Sequence, residues 1–191
     1  MNRKSLHTFV AALAMVSASF GLGGVAIAKM SPKNPMVGGA AMFPTKNIVE
    51  NAVNSKDHTT LVAAVTAAGL VDTLSSPGPF TVFAPTNAAF GKLPAGTVET
   101  LVKPENKDTL TSILTYHVVS GRITAADIAK KIKAGRGKAM LTTVAGGSLT
   151  AMMVGKNLVL TDAKGGKSTV TIGNVMQSNG VIHVVDSVLL P

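Results

Sequence analysis

NVMQSNGVIHVVDSVLLP, residues 174–191, is the stretch that decides the fold. Two apolar runs flank Ser178-Asn179-Gly180. Asn-Gly between strand-like segments signals a hairpin, because both residues tolerate the positive φ of a tight turn. The chain is therefore expected to end in an antiparallel strand pair. The second strand, Val181 to Leu190, is rich in β-branched residues and too apolar for a strand wetted on one face. It reads as a central strand, and removing it is expected to unfold the domain.

Working back from this hairpin, the chain has β texture as far as Ala139. Met140–Val144, Ser148–Val154, Leu158–Thr161 and Ser168–Ile172 read as strands separated by Gly146-Gly147, Gly155-Lys156-Asn157 and Gly165-Gly166. The half before it is mostly helical. Thr45 is placed to cap a helix through Val53. Thr59 or Thr60 starts another to Ala68, with Leu61, Val62, Val65 and Ala68 on one face and Gly69 ending it. Phe80–Ala84 reads as a short strand between the turn cluster at 75–79 and Thr86, which caps the helix carrying Ala88, Ala89 and Phe90. Thr97 caps a further turn. A helix from Glu105 or Lys107 to about Thr115 turns Leu110, Ile113 and Leu114 inward and hands over to the strand-like Tyr116–Val119. Thr124 and Asp127 have capping-box spacing. Helices first and strands later indicate an α+β domain.

At the other end, Asn2-Arg3-Lys4 is a basic start, Phe9–Ala28 is uncharged and apolar, and Ala26-Ile27-Ala28 fits a small-x-small cleavage site. An uncleaved anchor is the rival, but Gly21 and Gly24 favour a secretory signal peptide over residues 1–28. Pro32, Pro35, Gly38, Gly39 and Pro44 make 29–45 a flexible leader, and 46–191 the domain. Of the 18 basic residues, removing Arg3 and Lys4 leaves 16 against 9 acids, so the exported chain is basic. With no cysteine, disulfides and thiol catalysis are excluded. No later segment is long enough to span a bilayer. The protein is expected to be secreted or periplasmic.

Three ordered motifs carry a resemblance. Gly78 to Phe90, GPFTVFAPTNAAF, resembles the first signature box of the fasciclin domain; Leu114 to Val119, LTYHVV, its central Tyr-His motif; and Gly180 to Asp186, GVIHVVD, its second box. The resemblance spans about Lys46 to Pro191. It implies a wedge of β-sandwich-like strands with helices packed mainly from the N-terminal half, acting as a non-enzymatic adhesion module at cell surfaces or in extracellular matrix. The family often has Asp where this chain has Asn87, leaving any role for that carboxylate open. The resemblance also implies two further expectations. Tyr116 and His117 are candidate adhesion residues, since the motif is linked to integrin-dependent adhesion in animal relatives. An apolar-ligand carrier, for a carotenoid or lipid, is the alternative function.

The residues offer little other chemistry. His117 has a packing alternative, a buried imidazole bonded to backbone at a helix-to-strand junction, and His183 reads the same way. No histidine or acid spacing suits a metal, and no phosphate loop or nucleophile elbow implies a cofactor or a hydrolase. Asp72, Asp127 or Asp186 could meet a histidine in space, which spacing alone does not decide. Lys130, Lys131, Lys133, Arg136 and Lys138 have no acid among them. With Gly135 and Gly137 among them they are expected to end a helix and run into a mobile loop, serving either as a patch for an anionic polysaccharide or surface, or as a solvated face that keeps the protein soluble. Export and the single tyrosine argue against nucleic acid. Met140, Met152, Met153 and Met176 could line an apolar pocket or simply fill core.

Overall fold

The computed structural model describes residues 34–191, so the expected signal peptide lies outside the described residues. The second half of the leader, expected to be irregular, forms a small ribbon instead. β1 (Met36–Val37) and β2 (Ala40–Ala41) pair antiparallel across Gly38-Gly39, both at positive φ. Glycine takes that backbone without a Cβ clash, and the ribbon lets Val37 and Met42 bury in the core.

Helices then dominate: α1 (Ile48–Ala52), α2 (Thr59–Ala68), α3 (Val71–Ser75), α4 (Asn87–Phe90), α5 (Thr97–Leu101) and α6 (Lys107–Tyr116), with β3 (Phe80–Pro85) between α3 and α4. After β4 (Val118–Ser120) and α7 (Ala125–Ala134) come β5 (Ala139–Thr142), β6 (Ser148–Val154), β7 (Asn157–Thr161), β8 (Lys167–Gln177) and β9 (Gly180–Val185). Thr86 caps α4, and Thr124 with Asp127 closes the expected capping box on α7. Thr45 does not cap α1. Asn47 does, accepting from Glu50 N at 2.9 Å while Glu50 accepts from Asn47 N at 2.7 Å. α5 begins after Gly96 rather than Thr97.

The seven larger strands form one sheet in the order β4-β3-β9-β8-β7-β6-β5. Its two ends meet through an antiparallel bridge, Val119 with Thr143, and a 2.8 Å bond from Val144 N to Val118 O, so the sheet nearly closes. β9 lies inside it, parallel to β3 and antiparallel to β8, with every residue buried. That double burial explains its unbroken apolar sequence. Ile182 and Val184 join the core beneath the N-terminal helices, while Val185 joins Phe83 in a second core closed by Ile128 and Ile132 of α7.

The terminal hairpin is present, but its turn is built differently. Gln177 pairs with Gly180, leaving Ser178-Asn179 as the loop, and neither Asn179 nor Gly180 has positive φ. The left-handed residue is Asn174, where a register shift bends β8 and makes one strand of two expected segments. Gly180 is required by proximity, since a Cβ there would lie 2.1 Å from Phe80 O. The buried Asn179 side chain accepts from Ile48 N at 3.1 Å and donates to Leu74 O and Ser76 O at 2.8 Å each. One turn residue thus joins α1 and the end of α3 to the sheet.

Candidate functional site

Tyr116 and His117 close α6 and are almost wholly inside the protein, 1% and 3% exposed. The Tyr116 hydroxyl donates to Ser148 O at 2.9 Å and accepts from Ala163 N at 3.1 Å, tying the start of β6 to the loop after β7. Nδ1 of His117 lies 2.8 Å from Ile113 O, and Leu189 N donates to Nε2 at 3.0 Å. A carbonyl can only accept and an amide N–H only donate, so the ring is neutral with its proton on Nδ1. Burial pushes its pKa down to about 4. Neither side chain presents a surface to a partner. Both bind this chain's own backbone, and any effect on recognition passes through the loops they hold.

His183 is the opposite tautomer. Nε2 donates to Ile123 O at 2.9 Å, Nδ1 accepts from Asn174 N at 3.3 Å, and the ring stacks on Phe83 with centroids 5.6 Å apart. Asn174 in turn accepts from Ala125 N at 2.8 Å, tying the β8 bend to the start of α7. His58 is also buried, with Nδ1 2.8 Å from Ser55 Oγ and Nε2 without a hydrogen bond. Burial disfavours the charged ring, while the Ala84 carbonyl and the Asp57 carboxylate favour it. Burial outweighs them and holds the His58 pKa below its ordinary value. Among the described residues no histidine bonds a carboxylate: Asp127 is held by Thr124, and Asp186 receives Thr169 N at 2.8 Å. Nor does any group of three His, Asp or Glu gather to hold a metal among them.

The cationic run is entirely at the surface. Ile128 and Ile132 turn inward, and Lys130, Lys131 and Lys133 occupy the solvent side of α7. The chain beyond is not a loose loop. Gly137 N bonds Ile132 O at 2.8 Å and Arg136 N bonds Lys133 O at 3.3 Å, a Schellman closure with Arg136 in the left-handed region at φ 55°. Arg136 and Lys138 are therefore held just past the helix C-terminus, where the dipole favours positive charge. Asp127, one turn back, is the acid whose field Lys130 and Lys131 share. The single ion pair among the described residues, Lys92 with Asp186 at 3.7 Å, lies elsewhere.

None of Met140, Met152, Met153 and Met176 lines the apolar cavity of the described residues, and Met152 and Met176 are half-buried. Met140 is 72% exposed and Met153 43%. An apolar cavity does exist, on the helical side between α1, α2, α3 and the strands β3 and β9, with Met42 its one methionine.

The family pattern described as Fasciclin domain matches residues 56–191. The chain belongs to the fasciclin family. Protein sll1483 of Synechocystis sp. (strain ATCC 27184 / PCC 6803 / Kazusa) is 46% identical over 190 residues, covering 98% of both chains. Immunogenic protein MPB70 of Mycobacterium bovis is 41% identical over 145 residues, 73% of this chain and 66% of the relative. Cell surface glycolipoprotein MPB83 of the same species is 33% identical over 95% of this chain and 78% of its own. Among solved structures, a FAS1 domain pair from the insect cell adhesion molecule fasciclin I aligns with TM-score 0.67 at 21% identity, covering 76% of this chain. This chain spans 51% of that structure, which holds two such domains.

Within this fasciclin domain the departure at Asn87 has a clear use. Its Oδ1 accepts from Thr60 N at 3.0 Å, while Nδ2 donates to Lys56 O at 2.8 Å and Thr59 Oγ1 at 2.9 Å. A carboxylate has no hydrogen to give to the Lys56 carbonyl. Here the box residue docks α4 on the start of α2, and sequence alone left its role open because the partners lie some 30 positions upstream.

Proposed function

We propose that this fasciclin protein is an exported, non-enzymatic binding module that associates with anionic cell-surface or matrix components through the solvent face of α7 and the turn after it. The observation that carries the reading is the set of five exposed cations, Lys130, Lys131, Lys133, Arg136 and Lys138, held in ordered backbone with none in an ion pair. Fixed cations of one sign attract a polyanion without the ordering entropy of a mobile loop. The relatives support the setting, one named a cell surface glycolipoprotein and one structure coming from a cell adhesion molecule. The interior polar groups support a non-catalytic role. His58 faces Ser55 through Nδ1 with no acid on its other nitrogen, the reverse of a hydrolase arrangement.

Retention of the full chain on a sulfated-polysaccharide column, with the five cations changed to Gln in a second protein, tests this. The native chain is expected to elute late and earlier with added salt, and the variant near the void. Equal retention of the two proteins would overturn the proposal. The alternative, a carrier of an apolar ligand, is favoured by one observation, the cavity beneath α1 to α3.

A further inference from the structure

The cavity has a volume of about 170 Å³ and walls that include Val37, Leu61, Val65, Leu74, Val82 and Ile182, with no Asp, Glu, Lys or Arg among the lining side chains. Protein interiors leave few voids larger than a water, and an unfilled apolar hole destabilises in proportion to its volume. Water is a poor filler, because it needs two to four polar partners. A dry apolar cavity of about 150 Å³ takes up benzene. One wall group is polar and incompletely used. His58 is 3% exposed, Nδ1 is occupied by Ser55, and Nε2, although the ring is close to the Ala84 carbonyl, makes no hydrogen bond among the described residues. On the outer side, the lining residues Ala52, Val53, Val62 and Thr66 are partly or fully exposed, so the cavity reaches the surface between α1 and α2.

We propose that this cavity is a binding site for a slender apolar group of roughly six carbons, either a free small molecule or the end of an acyl chain. It is entered between α1 and α2, and a hydroxyl or carbonyl on the ligand meets His58 Nε2. The site is independent of the cationic face, so either assignment can fail without the other. A whole carotenoid is several times too large for it.

The test is a titration of the methyl-labelled full chain with benzene and with n-octanol, followed by NMR. Saturable shifts are expected at Val65, Leu74, Val82 and Ile182, and the His58 ring nitrogens are expected to respond to octanol but not to benzene. Ala52→Leu at the rim and Val65→Phe in the wall each fill the space and should weaken both probes by about tenfold or more; the rim variant disturbs packing least. Phosphatidylglycerol vesicles spin-labelled at the acyl terminus separate the two sources. Broadening of the same methyls assigns the site to acyl ends, and its absence assigns it to free molecules. Non-saturating shifts, shifts centred on Met140 and Met153, or unchanged binding in both filled variants would overturn the proposal.

Discussion

His117 makes two hydrogen bonds, both to backbone groups of its own fold, and the one it accepts from Leu189 N requires the neutral ring. The stability consequence has a definite sign. Burial lowers the folded pKa to about 4 from an ordinary 6.5, so the unfolded chain binds more protons between those values. The contribution is complete above pH 6.5 and is lost as pH falls through 4, about 3 kcal/mol between pH 7 and pH 4. His183 and His58 shift in the same direction, also through burial. Urea midpoints across this range should fall steeply with acid, and His117→Gln should flatten the curve; a flat native profile would contradict the account. Periodicity marked His117 and His183 as residues embedded in apolar runs. It could not show which nitrogen carries the proton, because Leu189 lies 72 positions from His117 and Ile123 lies 60 from His183.

Caps were legible where the side chain acts on the next turn, as at Thr86 and Thr124. They were misread at Thr45, where Lys46 N bonds Phe43 O in a turn and the helix starts two residues later. α3 escaped notice because five residues are too few to display a period. Two glycines at the end of α7 suggest a mobile segment, whereas Gly135 and Gly137 flank a closed cap with Arg136 at the left-handed position. An L-residue there costs about 1–2 kcal/mol, of which glycine's greater unfolded-state entropy would take back about half to one. Arg136→Gly should therefore melt no lower than the native protein, with a gain of up to about 1.5 kcal/mol, while eluting earlier from an anionic column. A loss of stability would show that the Arg136 side chain, not the backbone, holds the turn.

For the molecule as a whole, the three signature boxes and the strand pattern were enough to give an α+β fasciclin fold and a central β9. The β1–β2 ribbon was hidden by prolines and glycines, whose burden of turn signals outweighed the two apolar anchors Val37 and Met42. The cavity was not legible at all, since its wall draws on residues from Val37 to Ile182. The methionine pattern points instead to Met140, Met152, Met153 and Met176, two of which, Met140 and Met153, are exposed, because residue type alone does not report which face of a strand meets solvent. A chain ending at Gly180 removes β9 and strips both β3 and β8 of a ladder partner. It should show no cooperative thermal transition, and a sharp melt would refute the central role of that strand.

We propose that recognition resides on the charged face of α7 rather than on the buried Tyr116 and His117. Amide NMR of the full chain titrated with a sulfated polysaccharide tests it most directly. Saturable, salt-sensitive shifts are predicted along 126–138, with 113–119 unmoved. Shifts centred on 113–119, with 126–138 silent, would contradict it.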